Sequence, residues 1–137
     1  MATKDNFYIV VDSSYLVSLS HEKDSLYKRA QNIAKSLSGE IILILPAEVF
    51  SETINAVAKK IDKKIGIRVA ENILSSQFYN FWETNKEIRL EALGKFKTQP
   101  NSVSFTDCLV MAFADHFKTK HILGFDEAFS KNGYSLP

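Results

Sequence analysis

Only one cysteine, Cys108, occurs in the 137 residues. An internal disulfide is therefore impossible, and a cysteine-based zinc site is not expected. The three histidines form no His-x-x-x-His pair that would suggest zinc. Proline and glycine are scarce, at three and five residues, and no repeat or low-complexity linker breaks the chain. The longest aliphatic run, Ile41 to Leu45, is far short of the roughly 20 residues needed to cross a bilayer. The opening MATKDNFYIVVD has no leader-type apolar stretch before its first acidic residue, Asp5. Charge of one sign is not in excess either. The net charge is +1, so no global basic field advertises nucleic acid, although a local groove is still allowed. These absences lead us to expect one cytoplasmic domain spanning 1–137.

What is present is the material of a core. Hydrophobic residues make up 45% and charged residues 24%, a globular balance. FYIVV (7–11) is apolar on both faces and predicts a strand covered on two sides. It ends at Asp12, and SSYLV predicts a short helix. Leu26, Ala30, Ile33, Ala34 and Leu37 recur at helical spacing, with Gly39 just beyond. IILIL (41–45) predicts a second buried strand. Pro46 can open a helix whose stripe is Ala47, Phe50, Ile54, Val57 and Ile61. A further helix covers about 65–76. FYNFW (78–82) predicts a short strand whose aromatics are expected in the core. Thr84 and Glu87 have capping-box spacing ahead of Ile88, Ala92 and Phe96. After Gln99-Pro100-Asn101, the segment 102–118 predicts a helix, and its CLVMAFA is apolar all round, hence buried. HILGF (121–125) predicts a strand ending at Asp126, with a weaker one near Tyr134 to Leu136. Alternating strands and helices predict an α/β/α sandwich around a mostly parallel sheet.

In such folds ligands bind beyond the carboxyl ends of the strands, which directs attention to acidic residues there. Asp12 and Asp126 follow strands, and each alone suits a helix cap. Glu48 lies in the first turn after Pro46, where the helix dipole favours it. Glu52 is past that turn and sits at the margin of the apolar stripe, a position that also suits a solvated residue. Asp107 follows Ser104 by three residues, the acidic form of a capping box. If Asp12, Glu52, Asp107 and Asp126 converge, their like charges raise one another's pKa. A hard cation such as Mg²⁺ or Mn²⁺ relieves that repulsion, favours oxygen ligands and can assist attack on phosphorus.

The stretches IVVDSS, PAEVFSETINA, SFTDCLVMAFAD and ILGFDEAF, in this order, resemble the PIN-domain nucleases, in particular the small VapC-type toxins of type II toxin–antitoxin systems. The resemblance implies an α/β/α fold with a central parallel sheet and a Mg²⁺- or Mn²⁺-dependent ribonuclease. It implies Asp12, Glu52, Asp107 and Asp126 as the catalytic, metal-holding acids, with Ser13 and Thr106 as flanking hydroxyls. RNA substrate, a small antitoxin and a homodimer are implied partners. One position departs: many relatives carry Thr or Ser two residues before the last acid, where this chain has Gly124. A hydroxyl contact near Asp126 is expected to be missing.

Other features have plainer readings. KKIDKKIGIR (59–68) could steer RNA, but reads first as a solvated helix end. Cys108 is expected to be packed rather than reactive, and Asp115 to face solvent or pair with Lys118. A receiver domain would need paired acids after the first strand and a lysine after the last. Asp12-Ser13-Ser14 and Asp126 do not supply them. A PIN-like module that binds without cutting is the other alternative, as is a housekeeping nuclease.

Overall fold

The computed structural model describes residues 7–137. The opening MATKDN, on which the expectation about a leader rests, lies outside them. Four strands form one sheet, β1 (Phe7–Val11), β2 (Ile41–Pro46), β3 (Tyr79–Trp82) and β4 (Ile122–Leu123), in the order β3-β2-β1-β4. Every pairing is parallel. Helices α1 (Ser13–Ser20), α2 (Tyr27–Ser36), α3 (Ala47–Lys60), α4 (Lys63–Ser75), α5 (Lys86–Phe96), α6 (Phe105–His116) and α7 (Glu127–Lys131) fill the connections.

Register explains the layers. Tyr8 and Trp82 lie on one face, and both rings meet Phe117 at the end of α6. Phe81 points to the other face, where it meets Phe50 of α3. Helices therefore cover both sides, as strands apolar on two faces require. Ile9, Val10, Val11, Ile44 and Leu45 are all at most 1% exposed. Every residue from Cys108 to Ala114 is buried, so the all-round apolar pattern did mark a core helix. No helix among the described residues is long and apolar enough to cross a membrane.

Several expectations need correction. The strand after α6 stops at Leu123, not Phe125. The last ladder bond runs from the Asp12 N–H to the Leu123 carbonyl, and the Phe125 N–H turns away to Ser14 Oγ. The C-terminal strand shrinks to a single bridge between His121 and Ser135. The stripe of α3 centres on Val49, Thr53 and Val57, rotated from the predicted one. Thr53 is tolerated there because its hydroxyl donates to the Val49 carbonyl.

Thr84 does not cap α5. Asn85 does, accepting from the Ile88 N–H. Asn is at least as good a cap, and the Thr84 hydroxyl has a charged partner instead, donating to Glu48 Oε1 at 2.6 Å. Of the aromatics of FYNFW, Tyr79 packs against the core while the other three do not. Phe78 is 74% exposed, and Phe81 and Trp82 are also exposed, because β3 is an edge strand. Asp115 pairs with Lys95 rather than Lys118, at 2.6 Å, and accepts from the Tyr134 hydroxyl at 2.7 Å. Cys108 is packed as expected, and burial pushes its thiol up. Lys59, Lys60, Lys63 and Lys64 are exposed around Asp62, which caps α4.

Candidate metal centre at the carboxyl edge of the sheet

All strands run the same way, so their carboxyl ends share one edge. Strand order reverses at β1: the chain steps from β1 to β2 and β3 on one side and returns with β4 on the other. The crevice between the ends of β1 and β4 is the switch point where such sheets bind ligands. Asp12 follows β1 directly, and Asp126 follows the turn after β4.

Asp12 is the buried member, only 3% exposed. It caps α1, with Oδ2 accepting from both the N–H and the hydroxyl of Ser14, the latter at 2.6 Å. Burial nonetheless pushes its carboxyl up to about 6 from the usual 3.8. The Ser14 bonds oppose that rise, and the charges of Asp107 and Glu52 add to it. Glu52 is raised by burial and by the charge of Asp107, against a hydrogen bond from Ser13. Asp107 is raised by burial and by the charge of Asp126, against its bonds to Ser104. The capping box is complete, with Asp107 Oδ2 accepting from the Ser104 N–H at 3.0 Å and the Asp107 N–H donating to Ser104 Oγ. That box leaves Asp107 Oδ1 unused. Asp126 caps α7 through Oδ1.

The four carboxylates are thus one electrostatic group, gathered from positions far apart in sequence. Glu48 is not part of it. Its carboxylate is taken by Thr84 and by Arg89, whose Nη2 lies 3.6 Å away. Of the flanking hydroxyls, Ser13 bonds Glu52, while Thr106 is half-buried beside Asp107.

Ser14 was missed by sequence reasoning, and Gly124 was read only as a loss. A Cβ at Gly124 would lie 2.8 Å from Asp12 Cβ and 2.8 Å from Phe129 Cε2. No side chain fits there. The hydroxyl beside Asp12 comes instead from Ser14, which also accepts from the Phe125 N–H at 2.9 Å. The signal available was a hydroxyl two residues after a capping Asp, a spacing that lets it bond the carboxylate. Gly124→Ala should accordingly destabilise the fold by about 1–3 kcal/mol, the usual cost of overpacking. Thermal unfolding would read it, and a melting temperature equal to wild type would contradict the close approach.

A family model for the PIN domain matches residues 9–133. The chain belongs to the PIN-domain family. No curated protein matches it by sequence. Among solved structures, this PIN domain is similar to VapC20 of Mycobacterium tuberculosis, described as a toxin that cleaves the sarcin–ricin loop. The TM-score is 0.84 at 19% identity, over 93% of this chain and 96% of that one. At that identity the likeness speaks for the fold.

The donor set of this PIN domain is all oxygen and all anionic, which suits Mg²⁺ or Mn²⁺ rather than a soft metal. Among the described residues, no three His, Cys, Asp or Glu side chains are grouped closely enough to hold an ion between them. Mg²⁺ keeps several waters and takes only one or two carboxylates directly. The raised carboxyls of Asp12, Glu52 and Asp107 are the observation that fits a cation here: burial is the main cause, neighbouring acids add to it, and a positive charge offsets both.

Proposed function

We propose that this protein is a Mg²⁺- or Mn²⁺-dependent ribonuclease that hydrolyses RNA phosphodiester bonds at Asp12, Glu52, Asp107 and Asp126. The gathering of Asp12 and Asp126 at the switch point, with Asp12, Glu52 and Asp107 raised first by burial and then by neighbouring acids, carries the reading, and membership of the PIN family supports it. When bound, the cation supplies positive charge that offsets the acids and polarises water and a phosphoryl oxygen. Asp12 and Asp107 would hold it, with Glu52 and Asp126 directly or through water. Ser14 fixes the rotamer of Asp12 and ties it to the turn at Phe125. Ser104 and its capping box hold Asp107 on the buried helix α6.

The biological role we assign is that of a toxin, held in check by a small antitoxin over the acidic edge, with the toxin as a homodimer. The likeness to VapC20, itself described as a toxin, supports that role over a housekeeping nuclease. A short neighbouring reading frame encoding a DNA-binding antitoxin would be its genetic mark.

One observation favours a second reading, a module that binds RNA or protein without cutting: among the described residues, no three acids are grouped closely enough to hold an ion. Cleavage of single-stranded RNA with Mg²⁺ or Mn²⁺, with and without EDTA, separates the two. Cleavage abolished by EDTA is expected. Cleavage that persists in EDTA would remove the metal mechanism, and its absence under all conditions would favour the module.

A further inference from the structure

A cleft of about 360 Å³ opens beside Asp126, and the mechanism above makes no use of it. Arg29 of α2, Phe125 of the β4–α7 turn, Ser130 and Tyr134 line it with Asp126. Lys120 lies over the Tyr134 ring of the same cleft, 5.3 Å from its centroid, and Arg29 is the cation that itself lines the cleft. Arg89 is engaged by Glu48, Lys95 by Asp115 and Lys131 by Glu127. Arg29 makes no ion pair among the described residues. Its guanidinium lies over the Phe125 ring, 5.4 Å from the centroid. Stacking of this kind holds the guanidinium plane in place and leaves its N–H edges free to donate. Phe125 in turn packs on Tyr15, with ring centroids 6.3 Å apart.

Granting the RNA-cleaving reading, on which this rests, we propose that this cleft is a subsite for the nucleotide next to the scissile phosphate. Arg29 takes a backbone phosphate, and the Arg29–Phe125 stack takes the base.

Charge supplies the first reason. Four carboxylates repel a polyanion, and a strand brought to Asp126 needs a cation beside it. Arg29 lines the same cleft and makes no ion pair among the described residues. Shape supplies the second. The cleft has the scale of a small-ligand site, and bases stack on aromatic and guanidinium planes without sequence preference. Connection supplies the third. The Phe125 N–H donates to Ser14 Oγ, which donates to Asp12 Oδ2. A nucleotide held against Phe125 therefore bears on the turn that positions Asp12.

The test is binding of a short fluorescent single-stranded RNA in EDTA, across a salt series, to wild type, Arg29→Gln and Arg29→Lys. Arg29 is exposed, and equal melting temperatures would establish that all three fold alike. Arg29→Gln should weaken binding about 3- to 10-fold. It should also shrink the slope of log K against log salt by about 0.7, the share of one phosphate on a single strand. Arg29→Lys should keep the slope and lose part of the affinity. With Mg²⁺ present, Arg29→Gln should raise KM by a similar factor, with kcat within about twofold. If wild type cleaves RNA and Arg29→Gln matches it in affinity, slope and KM, the subsite is overturned and the nuclease reading stands. If wild type neither binds nor cleaves RNA, both fall.

Discussion

Asp107→Asn should fold with near-native stability and lose RNA cleavage by on the order of 10²-fold or more, the scale of removing one preorganised electrostatic contact. The two halves of this result have different causes. In the fold, Asp107 accepts one hydrogen bond, from the Ser104 N–H. An asparagine oxygen can accept the same bond, and Ser104 still caps the helix through the Asp107 N–H. Loss of a charge that Asp126 repels also relieves part of the strain on the site. The change in stability should therefore stay within about 1 kcal/mol. In the reaction, the lost charge is one that a divalent cation needs. Thermal unfolding without metal and an RNA cleavage assay with Mg²⁺ measure the two halves. A variant that cuts RNA at the wild-type rate would remove Asp107 from the site. A variant that fails to fold would show that the capping box needs the carboxylate itself.

Millimolar Mg²⁺ or Mn²⁺ should raise the melting temperature at pH 7.5, by roughly 1–3 kcal/mol of stabilisation if the dissociation constant is well below the metal concentration. The same rise should shrink at pH 5. Asp12 sets both signs. Its carboxyl sits at about 6 in the folded chain against 3.8 unfolded. The folded state thus holds this proton more tightly. Metal-free stability should fall as pH rises from about 4 to about 6 and level off above that, with Asp12 contributing about 3 kcal/mol across the window. Metal must displace the proton, so it binds poorly at pH 5 and well at pH 7.5. Asp12→Asn supplies the control. It should be more stable than wild type at pH 7.5 without metal, lose the Asp12 share of the pH dependence, and show little response to Mg²⁺. Equal metal-free stability of the two proteins at pH 7.5 would mean the Asp12 charge is not under strain. A wild-type melting temperature indifferent to both metals would favour the non-cutting module.

Much of this was readable in the sequence, for physical reasons that can be named. β1, β2 and α6 are nearly continuous apolar runs, and a run that cannot face water on either side must be interior. Their burial follows from composition alone. Asp12 and Asp107 stand out because each borders such a run, Asp126 because it follows an apolar strand segment, and Glu52 only through the resemblance to the family. The capping box of Ser104 and Asp107 was legible because helix ends satisfy their N–H groups locally, over three residues. The family match over 9–133 agrees with a resemblance that rested on those same stretches.

Other features depended on distances between segments, which no local pattern encodes. Thr84 and Glu48 are 36 residues apart, and their bond decides both that Thr84 is not a cap and that Glu48 is spoken for. Asp115 found Lys95 because α5 lies beside α6, not because of spacing along one helix. Phe81 and Trp82 of β3 are exposed because strand order puts β3 at the edge, while Tyr79 packs against the core. Gly124 shows the limit most plainly. In sequence it is a missing hydroxyl; in the fold it is the space into which Asp12 packs, with the hydroxyl supplied by Ser14 from 110 residues away in the chain. The sequence by itself determined which segments are buried and which carboxylates border them, because burial and capping are local. Only the tertiary structure decided which carboxylates share a field and which are neutralised elsewhere, because Coulomb energy depends on separation in space.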